Sequence, residues 1–286
     1  ENPSPVVDAG PDVIICLGGS TDLIASGATS YSWDNALGAG NNFTVSPIVN
    51  TTYVVTGTDG NGCENSDNVL VTVKRLPTAS IAGTTSICEN DLSPSVTFAG
   101  FNGTSPYTFT YTINGGPNIT VTSPGAIANV PAPNSPSGVY TFNLVNVEES
   151  SANNCSQAQN GTAVITVNPL PTVNAGVDQV ACGNDDIILT ATGANNYVWD
   201  NGVVNGVSFV PVTGVYTVIG TDGNGCTNSD EVSVLVSPVP VPSFDTTYTV
   251  CEPFIVTLTN TTPGISSNCV WEISDGSAPI VGCGPI

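Results

Sequence analysis

The sequence contains no histidine and no methionine, and its only basic residues are Lys74 and Arg75. Without histidine, neither a Ser-His nor a Cys-His nucleophile can be assembled, and the histidine-dependent zinc geometries are closed. With two cations against 23 acids, and a formal net charge of −21, the chain lacks the basic clusters that bind phosphate, so a nucleic-acid partner is excluded. The same balance repels an anionic membrane surface. No apolar run approaches the roughly 20 residues needed to span a bilayer, so direct membrane insertion is not expected. The missing methionine and the glutamate at position 1 read as a mature or internal piece of a longer chain, in which no signal peptide is expected. Carboxylate pairs could still run acid and base chemistry, but the acids are scattered over turns and no two form a cleft pair. A non-enzymatic chain without catalytic residues is expected.

Charge is scarce too, with 9% charged against 40% hydrophobic residues. That is not the composition of a disordered acidic tail. Short runs rich in Val, Thr and Tyr, separated by Asn- and Gly-rich turns, predict an all-β protein made of tandem β-sandwiches.

The strongest internal signal is a seven-residue identity. Gly57-Thr-Asp-Gly-Asn-Gly-Cys63 returns as Gly220-Thr-Asp-Gly-Asn-Gly-Cys226, and such self-similarity marks a repeat architecture. Tyr31-Ser-Trp-Asp-Asn35 likewise returns as Tyr197-Val-Trp-Asp-Asn201, and Ala25-Ser-Gly-Ala28 as Ala191-Thr-Gly-Ala194. We expect domains at 1–76, 77–168 (longer and diverged), 169–238 and 239–286, the last lacking its closing strands. The joints Arg75-Leu-Pro77, Asn168-Pro-Leu-Pro171 and Ser237-Pro-Val-Pro-Val-Pro242 are proline-rich and semi-rigid. An elongated rod of end-to-end domains is the expected result.

Nine cysteines with no Cys-x-x-Cys pair suggest long-range disulfides and an oxidising, extracellular compartment. One early and one late cysteine recur in each of the first three domains. Repetition therefore predicts Cys16–Cys63, Cys88–Cys155 and Cys182–Cys226. In the last segment Cys269 and Cys283 are expected to pair, with Cys251 joined to a cysteine beyond the fragment. Cys251–Cys269 or Cys251–Cys283 is the alternative. Trp33 and Trp199 stand at one distance after Cys16 and Cys182, a spacing that places them, with Trp271, in sandwich cores on the disulfide rather than on a sugar-binding surface. In the diverged domain Tyr107, Phe109 or Tyr111 takes that place.

The repeated loop admits two readings. Asp59, Asn61 and Asp67, and equally Asp222, Asn224 and Asp230, offer oxygen ligands for calcium. The other reading is a tight turn, since Asp-Gly and Asn-Gly supply positive φ. The triplets at Asn42, Asn50, Asn102, Asn118, Asn160 and Asn260 fit an N-glycan acceptor pattern.

Together, Ala9-Gly-Pro-Asp12 and Ala175-Gly-Val-Asp178, the strand cysteine, Tyr-x-Trp-Asp-Asn, the repeated heptapeptide and Val167-Asn-Pro-Leu-Pro171 resemble a known group. They are similar to the PKD-like and immunoglobulin-like repeats of very large Bacteroidota surface proteins, including gliding-motility adhesins of the SprB type. Trp271 to Gly276 resembles part of a PKD domain, with Ser274-Asp-Gly in place of Gly-Asp-Gly. The resemblance implies a structural stalk or filament segment of a cell-surface adhesin, exported by the type IX secretion machinery. Its partners would be neighbouring repeats, surface polysaccharide or other cell-surface proteins. It also implies Thr246, in Asp245-Thr-Thr247, as an O-glycan acceptor. A carbohydrate-binding or accessory module array of a secreted hydrolase is the alternative function.

Overall fold

The computed structural model describes residues 3–239, 241 and 243, and the backbone of strands within 244–248, 256–260, 270–271 and 280–281. Every regular element among them is a β-strand. The chain divides into two compact units, Glu1–Pro169 and Leu170–Ile286. Among the described residues the first unit holds two separate hydrophobic cores and the second holds one.

The first core is built by β1 (Val13–Cys16), β2 (Thr21–Ile24), β3 (Ser30–Trp33), β4 (Gly38–Ala39), β5 (Asn42–Val45), β6 (Thr51–Thr58) and β7 (Glu64–Lys74). One sheet runs β1-β7-β6-β3-β4 and the other pairs β2 with β5. Alternation decides which side faces in: Tyr53 and Val55 of β6 and Val69 and Val71 of β7 are buried, while Val54 between them is exposed. Leu23 of the small sheet and Trp33 of the large one complete the filling. The opening segment touches both sheets. Asp8 bridges Ser26 beside β2, and β1 then lies parallel to β7. Second and fifth strands in one sheet, third, sixth and seventh in the other, with the opening strand on the closing one, make an immunoglobulin-like sandwich.

The second core follows the same plan at greater length. Its strands are β8 (Thr78–Ala82), β9 (Thr85–Cys88), β10 (Ser95–Phe101), β11 (Tyr107–Ile113), β12 (Ile119–Thr122), β13 (Ile127–Pro131), β14 (Gly138–Glu149), β15 (Ser156–Ala158) and β16 (Thr162–Asn168). They form β13-β10-β8 and β12-β11-β14-β16-β9, with β15 added on β14. Tyr107, Phe109 and Tyr111 are all buried, so three aromatics share the place that tryptophan holds elsewhere. Phe98 lies 5.6 Å from Phe109 and 5.0 Å from Tyr111, centroid to centroid. Each such fully buried side chain contributes about 1.5–3 kcal/mol.

The third core uses β17 (Gln179–Cys182), β18 (Ile187–Ile188), β19 (Asn196–Trp199), β20 (Ser208–Phe209), β21 (Gly214–Thr221) and β22 (Thr227–Ser237). Its sheets are β17-β22-β21-β19 and β18-β20. Beyond it lie two strand pairs, β23 (Phe244–Tyr248) with β24 (Val256–Asn260) and β25 (Val270–Trp271) with β26 (Ile280–Val281).

Trp33 and Trp199 are both buried on their strands, but not on the cysteine that precedes each: Cys16 and Cys182 sit at strand ends outside the cores. The two indoles differ in one respect. Trp199 Nε1 donates to Asn205 Oδ1 at 3.0 Å, whereas the buried Trp33 Nε1 has no acceptor.

A shared lock fixes the start of each repeated core. The Tyr31 hydroxyl accepts from the Ala28 N–H at 2.7 Å and donates to the Ala28 carbonyl at 2.8 Å. Tyr197 does the same to Ala194, at 2.7 Å each way. Gly27 just before it has φ +89°, and a Cβ there would lie 1.8 Å from the Val6 carbonyl oxygen. Gly27→Ala is therefore expected to cost about 1–3 kcal/mol in denaturant unfolding, through clash and left-handed strain. Gly60→Ala, where a Cβ would meet nothing within 4 Å, should leave the midpoint essentially unchanged.

Candidate functional site

The features that recur in every core are a cysteine closing the parallel edge strand and a cysteine at a hairpin turn. Cys16 ends β1 opposite Lys74, the last residue of β7. Cys88 ends β9 opposite Asn168, the last of β16, and Cys182 ends β17 opposite Ser237, the last of β22. The early cysteine thus always sits where the chain leaves its core, at the outgoing end.

The late cysteine sits at the other end. Cys63 immediately precedes β7, and Asn65 beside it donates to the carbonyl of Pro5 at 2.9 Å. Cys226 immediately precedes β22, and Asn228 donates to the carbonyl of Pro171 at 3.0 Å. Both turns lie where the chain comes in. Cys155 is held the same way: the Glu149 N–H donates to its carbonyl at 3.0 Å, as those of Asp59 and Asp222 do to Cys63 at 3.0 Å and Cys226 at 2.9 Å.

This polarity corrects the expected disulfides. An 11-residue strand separates Cys16 from Cys63 by about 33 Å, whereas a disulfide needs Cα atoms within about 7 Å. Cys16 instead bonds Cys155 of the second core, with a Cα–Cα distance of 5.6 Å and a sequence separation of 139. Cys16–Cys63 is therefore not formed, and Cys63 is a free thiol. Cys88–Cys155 is not formed either, because Cys155 is taken; Cys88 is itself disulfide-bonded. Nor is Cys182–Cys226, since β22 separates the two in the same way: Cys182 is free and exposed while Cys226 is disulfide-bonded. Cys251, Cys269 and Cys283 lie outside the described residues, as does the side chain of Thr246, whose backbone belongs to β23.

Around Cys16–Cys155 the two cores of the first unit share further contacts. The Asn153 side-chain amide donates to the Ile14 carbonyl. Glu149, buried, accepts from the Thr104 N–H at 2.7 Å and from the Ser151 hydroxyl. Burial pushes its carboxyl up, but those hydrogen bonds and the charge of Lys74 outweigh it and hold it below its ordinary value. One of the two basic residues of the chain therefore serves this joint.

The repeated loop is a turn whose acids are occupied. Asp59 Oδ1 accepts from the N–H groups of Asn61 at 2.8 Å and Cys63 at 2.9 Å. Asp222 repeats this with Asn224 at 2.8 Å and Cys226 at 2.9 Å. Gly62 and Gly225 take the left-handed φ of +87° and +86°, and a Cβ on Gly57 or Gly220 would fall 2.6 Å from Val7 or Val173. Asp67 and Asp230 do different work, accepting from the N–H groups of Ala9 at 2.9 Å and Ala175 at 2.8 Å. They lie opposite Val55 and Val218 in the ladders, about 10 Å along the strand from the turn. Asp59 with Asn61, and Asp67, are thus not brought to one point, and the same holds for Asp222 with Asn224, and Asp230. Among the described residues no three His, Cys, Asp or Glu side chains gather as a metal site.

A scan against protein-family models finds no match, and no curated protein sequence matches. Among solved structures, an I-band fragment of titin is 12% identical, with 83% of this chain and 100% of that one covered at a TM-score of 0.47. A structure described as showing host cell surface retention of a 1.5-MDa bacterial ice-binding adhesin is 14% identical, with 83% and 100% covered and a TM-score of 0.37. The fibronectin(III)-like modules of Clostridium thermocellum CbhA are 11% identical, with 58% and 94% covered and a TM-score of 0.31. These likenesses are weak, and the fold assignment rests on the strand order and pairing given above.

Backbone N–H groups lower the carboxyls of Asp67 and Asp230, Ala9 and Ala175 being the main donors, below the ordinary 3.8. A folded-state value below the unfolded one stabilises the fold above the unfolded value and loses that contribution as pH falls through the folded one. The melting temperature is expected to drop as pH is lowered from about 4. In an Asp67→Asn, Asp230→Asn variant it should be lower at pH 7 and fall less steeply in acid.

Proposed function

We propose that the chain is a non-catalytic structural repeat segment of a large secreted, cell-surface adhesin, a stalk or filament that holds a binding part away from the cell. The observation that carries this reading is the bond between Cys16 and Cys155, which joins one core to the next rather than stapling a core to itself. In the chain-entropy model a bond closing so long a loop contributes about 5 kcal/mol. It also supplies a covalent path beside the Lys74–Pro77 connection, so tension across the joint is shared. Disulfides form in oxidising compartments, which supports an extracellular site. Gliding motility, export by the type IX machinery and O-glycosylation at Thr246 belong to this proposal through the resemblance alone.

The alternative of a carbohydrate-binding array requires exposed aromatics in line. Among the described residues Phe101 is the one aromatic classed as exposed, and Trp33 and Trp199 are buried. The open groove of about 390 Å³ beside β17, β21 and β22 is lined by Val180, Val215, Val234 and Leu235 with no ring, and the one of about 300 Å³ beside β20 has a single, half-buried ring, Phe209. Two measurements test the proposal. Antibodies raised against residues 1–239 should label intact cells that make the parent protein, and the purified chain should give no signal on a glycan array. Saccharide binding abolished by Phe101→Ala would replace the stalk with a binding module.

A further inference from the structure

The first and third cores, otherwise close copies, differ at one sheet edge. In the first, β4 covers the outer side of β3, with Ser32 opposite Ala39 and Trp33 opposite Gly38. There the Gly40 N–H donates to the Tyr31 carbonyl at 3.1 Å. In the third core the matching stretch turns inward. Asn205 stands as far after Trp199 as Ala39 does after Trp33. Its side-chain oxygen accepts from the Trp199 indole at 3.0 Å and from the Ala191 N–H at 2.7 Å. The Gly206 N–H then goes to the Leu189 carbonyl at 2.9 Å instead of to the edge strand. Among the described residues β19 therefore ends its sheet, with no strand on its outer side. The register shows which backbone groups are left there. The Asp200 N–H donates to the Thr217 carbonyl at 3.0 Å, and backbone groups alternate in direction along an antiparallel strand. Those of Tyr197 and Trp199 thus point outward, as those of Tyr31 and Trp33 point at β4.

We propose that this edge pairs with the same edge of a second copy of the chain, β19 to β19, antiparallel about a two-fold axis. An uncovered edge is a template for strand addition, and edges that stay single are guarded by lysine, proline or a bulge. Asn196-Tyr-Val-Trp199 has no charge and no proline, and its register with β21 is unbroken. Charge complementarity selects both the occupant and the register. At a net charge of −21, two copies approach best where carboxylates do not meet. With Val198 on the axis, Tyr197 lies opposite Trp199 of the other copy, and each such pair exchanges both backbone hydrogen bonds. On the outer face Val198, 66% exposed, packs on its own counterpart. Asn196 stands opposite Asp200 of the other copy, and both side chains are exposed. Amide meets carboxylate at each end of the seam, and one strand supplies both halves of the contact. Moving the axis to Tyr197 or Trp199 sets Val198 against Asn196 or against Asp200 and loses both matches. The pairing concerns the third core alone and stands whether or not the parent protein is an adhesin.

The test is analytical ultracentrifugation of the 286-residue chain, with free thiols alkylated without reductant so that no new disulfide joins two copies. A monomer–dimer equilibrium, with dimer evident by about 1 mM, is the expected result. Val198→Lys, at an exposed position, sets two cations face to face on the axis and should leave the chain monomeric. Asn196→Lys sets a cation opposite each Asp200 and should tighten the dimer at least about twofold beyond Ser32→Lys. Ser32 is the matching exposed position on β3, whose edge β4 covers, so that variant adds the same charge away from the seam. A chain that stays monomeric at that concentration, a dimer that survives Val198→Lys, or an Asn196→Lys dimer no tighter than that of Ser32→Lys overturns the pairing.

Discussion

The structure depends on one pairing: the opening edge strand lies parallel, not antiparallel, to the closing strand. In the first core that pairing runs Val13 to Cys16 beside Val71 to Lys74. A parallel strand ends where its partner ends, so the cysteine that closes it is carried to the outgoing end. The cysteine of the hairpin that starts the closing strand is left at the incoming end, a strand length away. No side-chain rearrangement bridges such a gap. The two cysteines of one core thus lie at its opposite ends, and within the first unit Cys16 bonds Cys155 of the second core.

The same polarity explains why the seven-residue identity is conserved between two cores without being a ligand site. Gly57 and Gly220 allow the ladder to pass against Val7 and Val173. Asp59 and Asp222 cap the turn, Gly62 and Gly225 supply the left-handed residue, and the cysteine is presented at the incoming end. Gly60 and Gly223 meet nothing. Nearly every residue of the motif has a mechanical task in shaping or presenting that turn.

Much of this was legible in the residues. Alternation in Thr51–Thr58 and Glu64–Lys74 revealed strands and their inward faces, and Tyr31-Ser-Trp33 revealed a core strand, because burial on one side of a pleat imposes period two. The turn chemistry of the repeated loop was legible for the same local reason. The disulfide partners were not. A repeat with one early and one late cysteine per domain gives the same pattern whether bonds close within a domain or step to the next. Only the parallel register of β1, β9 and β17 separates the two, and parallel edge pairing leaves no periodic mark on a four-residue strand. The role of Asp67 and Asp230 was likewise hidden. Their partners, Ala9 and Ala175, are more than 50 residues away, so proximity in sequence to the turn suggested a shared ligand set that the ladder pulls apart.

Trypsin offers the most direct measurement, because Lys74 and Arg75 are the only basic residues in the chain and both lie at the joint between the first two cores. Cleavage there, followed by denaturation without reductant, should leave residues 1–75 and 76–286 as one species held by Cys16–Cys155, which separates only when reductant is added. Two separate pieces before reduction would show that no bond crosses the joint, and would contradict covalent coupling of the first two cores.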